Sequence, residues 1–172
     1  VANKTAKIVG GGSLAALLIA VPFIADREGE SLKSYRDVVG VWTICNGETL
    51  GVKQGMTMTK QQCRQLTESR VGQFMQKVFA LNRTPLPAKT LAAHTSFAYN
   101  IGIAGYTRSS ALKFNNSGNL QAGCKAMVNW NGLTKNGIKY DCNDPINLKI
   151  NGCKGLVNRR TDEIKLCLSG LE

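Results

Sequence analysis

The chain has 172 residues with a net charge of +11, six cysteines and one histidine. That length builds one domain with its own core, and an even cysteine count without a CxxC pair excludes an ordinary zinc site and points to disulfides in an oxidising compartment. The charge favours a polyanionic partner, but the basic residues are scattered, with no basic tract and no aromatic-and-basic recognition pattern, so nucleic acid is not the expected one.

The first element is an uncharged apolar run over residues 8–25, IVGGGSLAALLIAVPFIA. As a helix it spans roughly 27 Å at ~1.5 Å per residue, just short of a ~30 Å hydrocarbon core. Lys4 and Lys7 precede it; Asp26, Arg27, Glu28 and Glu30 follow. The positive-inside rule then puts the N-terminus in the cytoplasm and the bulk of the chain outside. Three readings are open. A cleaved signal peptide lacks a convincing Ala-x-Ala site, and cleavage after Ala25 leaves Glu28 almost at the new terminus. A permanent anchor is poorly served by so much Gly and Ala. A temporary anchor that later leaves the bilayer ends as an ordinary buried helix, with Gly12, Ala16 and Ala20 on one face for close packing.

From Tyr35 to Leu50 the pattern changes. Val38, Val39, Val41, Trp42, Thr43, Ile44 and Cys45 are strand formers or small apolar residues, and Gly40 and Asn46-Gly47 are turn signals, so a short antiparallel sheet is predicted. Thr59-Lys60-Gln61-Gln62 is a capping-box pattern, and the helix it opens carries Cys63, Leu66, Val71, Phe74, Met75, Val78 and Phe79 at helical spacing. Pro85 and Pro87 break the chain. A helix follows over 88–101, ended by Gly102 and Gly105. Short helices are expected near 109–114 and 119–130, a Gly/Asn/Pro-rich loop over 131–155, and a last helix from Leu156 to Leu168 with Gly170 beyond it. Strands early and helices late give an α+β fold: a small β-sheet lobe, a larger helical lobe and an N-terminal apolar helix. Sequence proximity pairs Cys45 with Cys63 and Cys142 with Cys153, leaving Cys124 with Cys167; buried free thiols are the bland alternative.

The stretch Glu28 to Thr43, EGESLKSYRDVVGVWT, carries the chemistry. Inverting hydrolysis of a glycosidic bond needs an acid for the leaving oxygen and a carboxylate on the opposite face to activate water, ~6.5–9.5 Å apart. Glu28, directly after the apolar run, can sit in a low-dielectric wall that favours its protonated form. Asp37, at the sheet's edge, stays ionised and suits a base. Thr43 can aim its hydroxyl at the attacking water. On spacing alone the three are equally an ordinary surface Glu, a turn Asp and a strand Thr. His94 reads as a core or surface residue rather than a base, and Ser31 and Ser34 lack partners for nucleophilic chemistry.

The pattern E-x8-D-x5-T closing on Gly40-Val41-Trp42-Thr43 resembles the phage-type lysozymes of glycoside hydrolase family 24. Ser96-Phe97-Ala98-Tyr99-Asn100-Ile101-Gly102 is similar to that family's central helix, Ser109-Ser110-x-Leu112 to a later step, and Gly155-Leu156 with Arg159-Arg160 and Glu163 to its final helix. The apolar start resembles the signal-arrest-release segment of endolysins in this family. The resemblance implies a lysozyme-like catalytic domain over 26–172 behind a releasable membrane segment over 1–25. It implies Glu28 as acid, Asp37 as base and Thr43 as the water-positioning hydroxyl. Tyr35 and Asn100 would line the saccharide cleft, and Arg159 would pair with or steady Glu28; plainer roles for Asn100 and Arg159 are a helix cap and a surface salt bridge. The expected substrate is peptidoglycan, cut between N-acetylmuramic acid and N-acetylglucosamine by a monomer, with no metal or cofactor. Residues 8–25 would insert transiently in the host inner membrane before the enzyme is released to the periplasm. Unlike some relatives, the apolar segment holds no cysteine, so a thiol switch inside it is not available. A lytic transglycosylase is the alternative enzyme, opposed by Asp37 and Thr43; a cationic wall- or membrane-binding lytic protein is the non-enzymatic one.

Overall fold

The computed structural model describes residues 11–37 and 40–172. Lys4, Lys7, residues 8–10, Val38 and Val39 therefore lie outside the described residues. The chain divides into two compact units, Val1–Gln73 and Phe74–Glu172. The architecture is α+β: among the described residues there are six α-helices and two small antiparallel sheets.

In the first unit, helix α1 (Gly11–Glu28) takes up the apolar run and continues through Asp26 and Arg27 to Glu28. Ala16, Ala20 and Ile24, spaced one turn apart, are fully buried, so the Ala16 and Ala20 part of the small-residue face predicted from sequence points inward and is extended by Ile24; the burial of Gly12 lies outside what is described. Leu14 and Leu18 stay exposed. Pro22 lies inside the helix, where it lacks an N–H for the carbonyl one turn back. No helix among the described residues is long and apolar enough to cross a membrane.

Gly29, at φ +69°, reverses the chain after α1. Strands β1 (Ser31–Arg36) and β2 (Trp42–Cys45) pair antiparallel, Tyr35 opposite Thr43 and Arg36 opposite Trp42, with an irregularity between Ser31 and Tyr35. The sheet starts earlier than the apolar pattern predicted because residues 56–58 supply backbone partners on its other side: Ser34 N–H donates to the Met56 carbonyl and Met58 N–H to the Leu32 carbonyl, each at 2.9 Å. Ile44, Cys45 and Cys63 form the buried centre, with Leu32, Val52, Met56, Met58 and Leu66 packed against it. The Cys45–Cys63 disulfide joins β2 to helix α2 (Lys60–Leu81). The predicted capping box opens α2: Thr59 N–H donates to Gln62 Oε1 at 2.8 Å and Gln62 N–H to Thr59 Oγ1 at 3.2 Å.

The second unit is built on α3 (Ala88–Arg108), whose residues Thr90 to Ala98 are all buried. A helix apolar or small on every side belongs at the centre of a bundle. Gly102, at φ +76° and ψ 156°, breaks its helical geometry as predicted. Gly105 does not end it; helix resumes to Arg108, and Gly105 serves instead to admit the Trp130 ring, which a Cβ there would meet at 3.3 Å. Around α3 lie α4 (Ser110–Asn116), α5 (Leu120–Lys125), a 3₁₀ turn over Ala126–Trp130, and α6 (Cys153–Leu168). The Phe97 ring meets those of Tyr106 and Trp130 edge-on, at 6.1 and 6.2 Å between centroids.

The segment predicted as a loop over 131–155 is ordered. Strands β3 (Gly132–Lys135) and β4 (Ile138–Asp141) form a hairpin, followed by a 3₁₀ turn over Pro145–Lys149. Its tip, Asn136-Gly137, has both residues at positive φ, 51° and 79°, as a two-residue hairpin turn requires. The Cys142–Cys153 disulfide ties the hairpin's exit to the start of α6, which begins at Cys153 rather than at Leu156. Cys124–Cys167 joins α5 to α6, and no cysteine is free.

Candidate active site

The first unit carries Glu28, Tyr35, Asp37 and Thr43. Glu28 is the last residue of α1 and is half-buried. Asp37 follows β1, also half-buried, and Thr43 lies in β2 with 3% of its surface exposed. Asp37 and Thr43 are brought together on one residue, Val41. The Val41 N–H donates to Asp37 Oδ1 at 2.8 Å, and the Val41 carbonyl accepts from Asp37 N–H at 3.0 Å and from Thr43 Oγ1 at 3.1 Å. Because the Thr43 hydroxyl proton is committed to a carbonyl, the oxygen's lone pairs are left to accept from a water O–H. Tyr35 stands opposite Thr43 across the strand pair, largely exposed. Arg36 lies over the Trp42 ring, 5.0 Å from its centroid, across the strand pair.

Glu28 is connected to this strand pair through Asn46, which sequence reading took only as a turn residue. Asn46 Nδ2 donates to the Gly29 carbonyl at 2.5 Å and to the Ala25 carbonyl at 3.5 Å, while its Oδ1 accepts from Thr67 Oγ1 at 2.9 Å. Asn46 and Thr67 are both buried. A cavity of about 710 Å³ lies between α1 and α2, with Leu14, Leu17 and Val21 on one side and Lys60 and Arg64 on the other. It includes Asn46 and Thr67 but none of Glu28, Asp37 and Thr43.

Asn100 and Arg159 belong to the second unit and to one polar network. Glu163 is fully buried and accepts from Ser96 Oγ at 2.6 Å, from Arg160 Nη1, and from Arg159 Nε at 3.3 Å. Arg160 is also buried, donates through Nη2 to Asn100 Oδ1, and lies over the Phe97 ring at 4.9 Å. Burial pulls the Arg160 guanidinium below its ordinary value, while the facing Glu163 carboxylate opposes that shift. Arg159 is thus in a largely buried ion pair rather than a surface one. Asn100 is exposed, with its carbonyl oxygen engaged by Arg160. Sequence reading assigned a role to Arg159 but none to Arg160, Ser96 or Glu163; the signal was an Arg and a Glu three positions apart on one helix face.

Of the core and surface placements the sequence left open for His94, the core is the one observed. It closes a buried ring: Asn115 Nδ2 donates to Asn82 Oδ1 at 2.9 Å and contacts His94 Nε2 at 3.0 Å, and Asn82 Nδ2 donates to Tyr106 Oη at 2.8 Å, which lies 3.3 Å from His94 Nδ1. Burial pushes the His94 imidazole down to about 3 and raises the Tyr106 phenol. A buried imidazole held neutral by burial, with Tyr106 and Asn115 on its two ring nitrogens, is scaffold, not a base. His94 also lies near Cys124 and Cys167, but those sulfurs are joined to each other and hold no charge for a metal.

Residues 25–163 match the model of the phage lysozyme family. The chain is 40% identical over 154 residues to the SAR-endolysin of Pseudomonas phage phiKMV, covering 90% of this chain and 89% of that protein. Its structure is similar to the endolysin from Escherichia coli O157:H7 phage FAHEc1, with TM-score 0.74 and 30% identity over 93% of this chain and 94% of that one. It is likewise similar to the muramidase domain of SpmX from Asticaccaulis excentricus, with TM-score 0.75 and 28% identity over 87% and 94%. The fold is lysozyme-like, with a small strand lobe and a larger helical one, and the protein is a glycoside hydrolase. The chain belongs to the phage lysozyme family; it is an endolysin, a muramidase of host lysis whose substrate is peptidoglycan.

Proposed function

We propose that hydrolysis of the β-1,4 bond between N-acetylmuramic acid and N-acetylglucosamine proceeds with inversion, Glu28 protonating the leaving oxygen and Asp37 taking a proton from the attacking water. The observation that carries this reading is the common anchoring of Asp37 and Thr43 on Val41. A water that donates one hydrogen to Asp37 and the other to Thr43 Oγ1 keeps its lone pair for the anomeric carbon. A transglycosylase has no use for such a water seat. Tyr35 and Asn100 contact the saccharide, and Arg160, paired with Glu163, holds the Asn100 carboxamide on α3. The protein works as a monomer.

Residues 1–25 act as the signal-arrest-release segment: 8–25 insert in the inner membrane with the N-terminus in the cytoplasm and the catalytic domain, 26–172, in the periplasm, then withdraw. The buried Ala16, Ala20 and Ile24 face supports a released form in which the segment packs on protein. The positive-inside charges and the name borne by the phiKMV relative support the earlier, inserted form.

The test is digestion of purified Gram-negative peptidoglycan by the parent, Glu28→Gln, Asp37→Asn and Thr43→Val, with product anomers read by NMR. The expected result is reducing-end muropeptides of inverted configuration from the parent, and none from Glu28→Gln and Asp37→Asn. Anhydro-sugar products, or full lysis by Glu28→Gln, overturn the mechanism. Cell fractionation tests the membrane step: protein found first in the inner membrane and later soluble in the periplasm supports it, and uniformly soluble protein overturns it.

A further inference from the structure

We propose that Asn46, held by Thr67, is a positioning residue for the general acid, fixing Glu28 relative to the strand that carries Thr43; the proposal rests on the reading of Glu28 as the acid. The last four carbonyls of a helix have no partner within it. In α1 these belong to residues 25–28, and Glu28 is the terminal one. Asn46 Nδ2 satisfies the first of them, Ala25, and also the carbonyl of Gly29, the residue just past Glu28. One carboxamide therefore grips the backbone on both sides of the acid.

Its orientation is set by chemistry. Both of its backbone neighbours are acceptors, so the end facing them is the NH2, and the opposite oxygen receives the Thr67 hydroxyl at 2.9 Å. Neither residue has slack. Asn46 is 7% exposed and Thr67 5%. Asn46 follows Cys45, whose disulfide partner Cys63 is one turn before Thr67 on α2, so the disulfide and the Asn46–Thr67 bond cross between the same two elements. Asn46 is also three residues beyond Thr43 on the same chain segment. The acid's helix end and the hydroxyl that seats the water are thereby built on one frame. An apolar residue at this position leaves the Ala25 and Gly29 carbonyls and the Thr67 hydroxyl without the partner that Asn46 supplies.

Misplacing a catalytic group by about 1 Å costs about 100-fold in rate. The experiment measures kcat, KM and the pH dependence of kcat on soluble peptidoglycan fragments for the full chain, Asn46→Ala, Thr67→Val and Glu28→Gln, each checked for folding by circular dichroism at the assay temperature. The expected result is a fall in kcat of about 100-fold for Asn46→Ala and about 10-fold for Thr67→Val, with KM within about twofold of the parent. The alkaline limb of the kcat profile, where the acid loses its proton, moves in both. A merely structural role leaves kcat and that limb unchanged in the folded variants, and this result overturns the proposal. Should Asn46→Ala not fold, Thr67→Val, which keeps the side chain's shape, decides alone. Full activity in Glu28→Gln overturns the acid assignment itself; an inactive Glu28→Gln beside a folded Asn46→Ala of parental kcat overturns only the role of Asn46.

Discussion

Acidification from pH 7.5 to pH 5 costs this protein about 2 kcal/mol of folding stability through His94 alone. The imidazole has its ordinary value of 6.5 in the unfolded chain and about 3 in the folded one. A depressed folded value means stability that is complete above 6.5 and lost as pH falls from there toward 3. At pH 5 the unfolded chain has taken up its proton and the folded chain has not. Each pH unit below 6.5 therefore costs about 1.4 kcal/mol, or about 2 kcal/mol in total, equivalent to a fall in Tm of roughly 4–8 °C. His94 is the chain's single histidine, so the assay is unambiguous. Urea unfolding of the parent and of His94→Gln at the two pH values separates this loss from that of the carboxylates, which both proteins share. His94→Gln is less stable throughout, but its loss on acidification is smaller than the parent's by about 2 kcal/mol. The imidazole C2–H resonance of the folded parent stays put between pH 8 and pH 5. A resonance titrating near 6.5, or equal losses in the two proteins, refutes the argument.

Glu163→Leu leaves the Arg160 guanidinium buried without its carboxylate and lowers stability by about 3–5 kcal/mol, whereas the double change Glu163→Leu with Arg160→Met costs far less than the sum of the single ones; urea unfolding of the set measures it. Removing Cys124–Cys167, which closes 43 residues, costs about 4 kcal/mol, and removing Cys142–Cys153, which closes 11, about 3 kcal/mol; the order in which paired Cys→Ala variants unfold checks this. Gly123→Ala puts a Cβ 1.9 Å from Asn115 Oδ1, and because Asn115 is held in the His94 ring it cannot swing away, so Tm falls by several degrees in thermal unfolding.

Features whose cause is local were legible in the sequence. The capping box at Thr59 and Gln62 forms because both partners lie within one turn, and the short loops between Cys45 and Cys63 and between Cys142 and Cys153 make those pairings the near ones. The Glu28–Thr43 stretch was singled out by its resemblance to a family pattern, since spacing alone left an ordinary Glu, Asp and Thr. The hairpin over 132–141 was missed although Asn136-Gly137 is a hairpin turn signal, because Gly132 to Lys135 is too polar and short to show alternation. Gly105 was misread as a helix stop because its reason is the Trp130 ring, twenty-five residues away in sequence. Asn46 carried a turn signal that concealed its second use, and that use depends on Thr67 and on the end of α1, neither of which neighbours it in the chain. Asn100 and Arg159 were singled out from the sequence, but the bond from Arg160 to Asn100 emerges only when α3 and α6 are placed side by side.

The ring of Asn82, Tyr106, His94 and Asn115 constrains how this core can change over generations. Each member satisfies two others, so replacing any one by an apolar residue strands a buried donor or acceptor, at about 1–3 kcal/mol. Replacing all four together by well-packed hydrocarbons carries no such penalty. Between the polar centre and an oily one there is thus a valley that descendants changing one residue at a time must cross. Sister lineages should have kept the whole set or exchanged it wholesale, with mixed versions scarce.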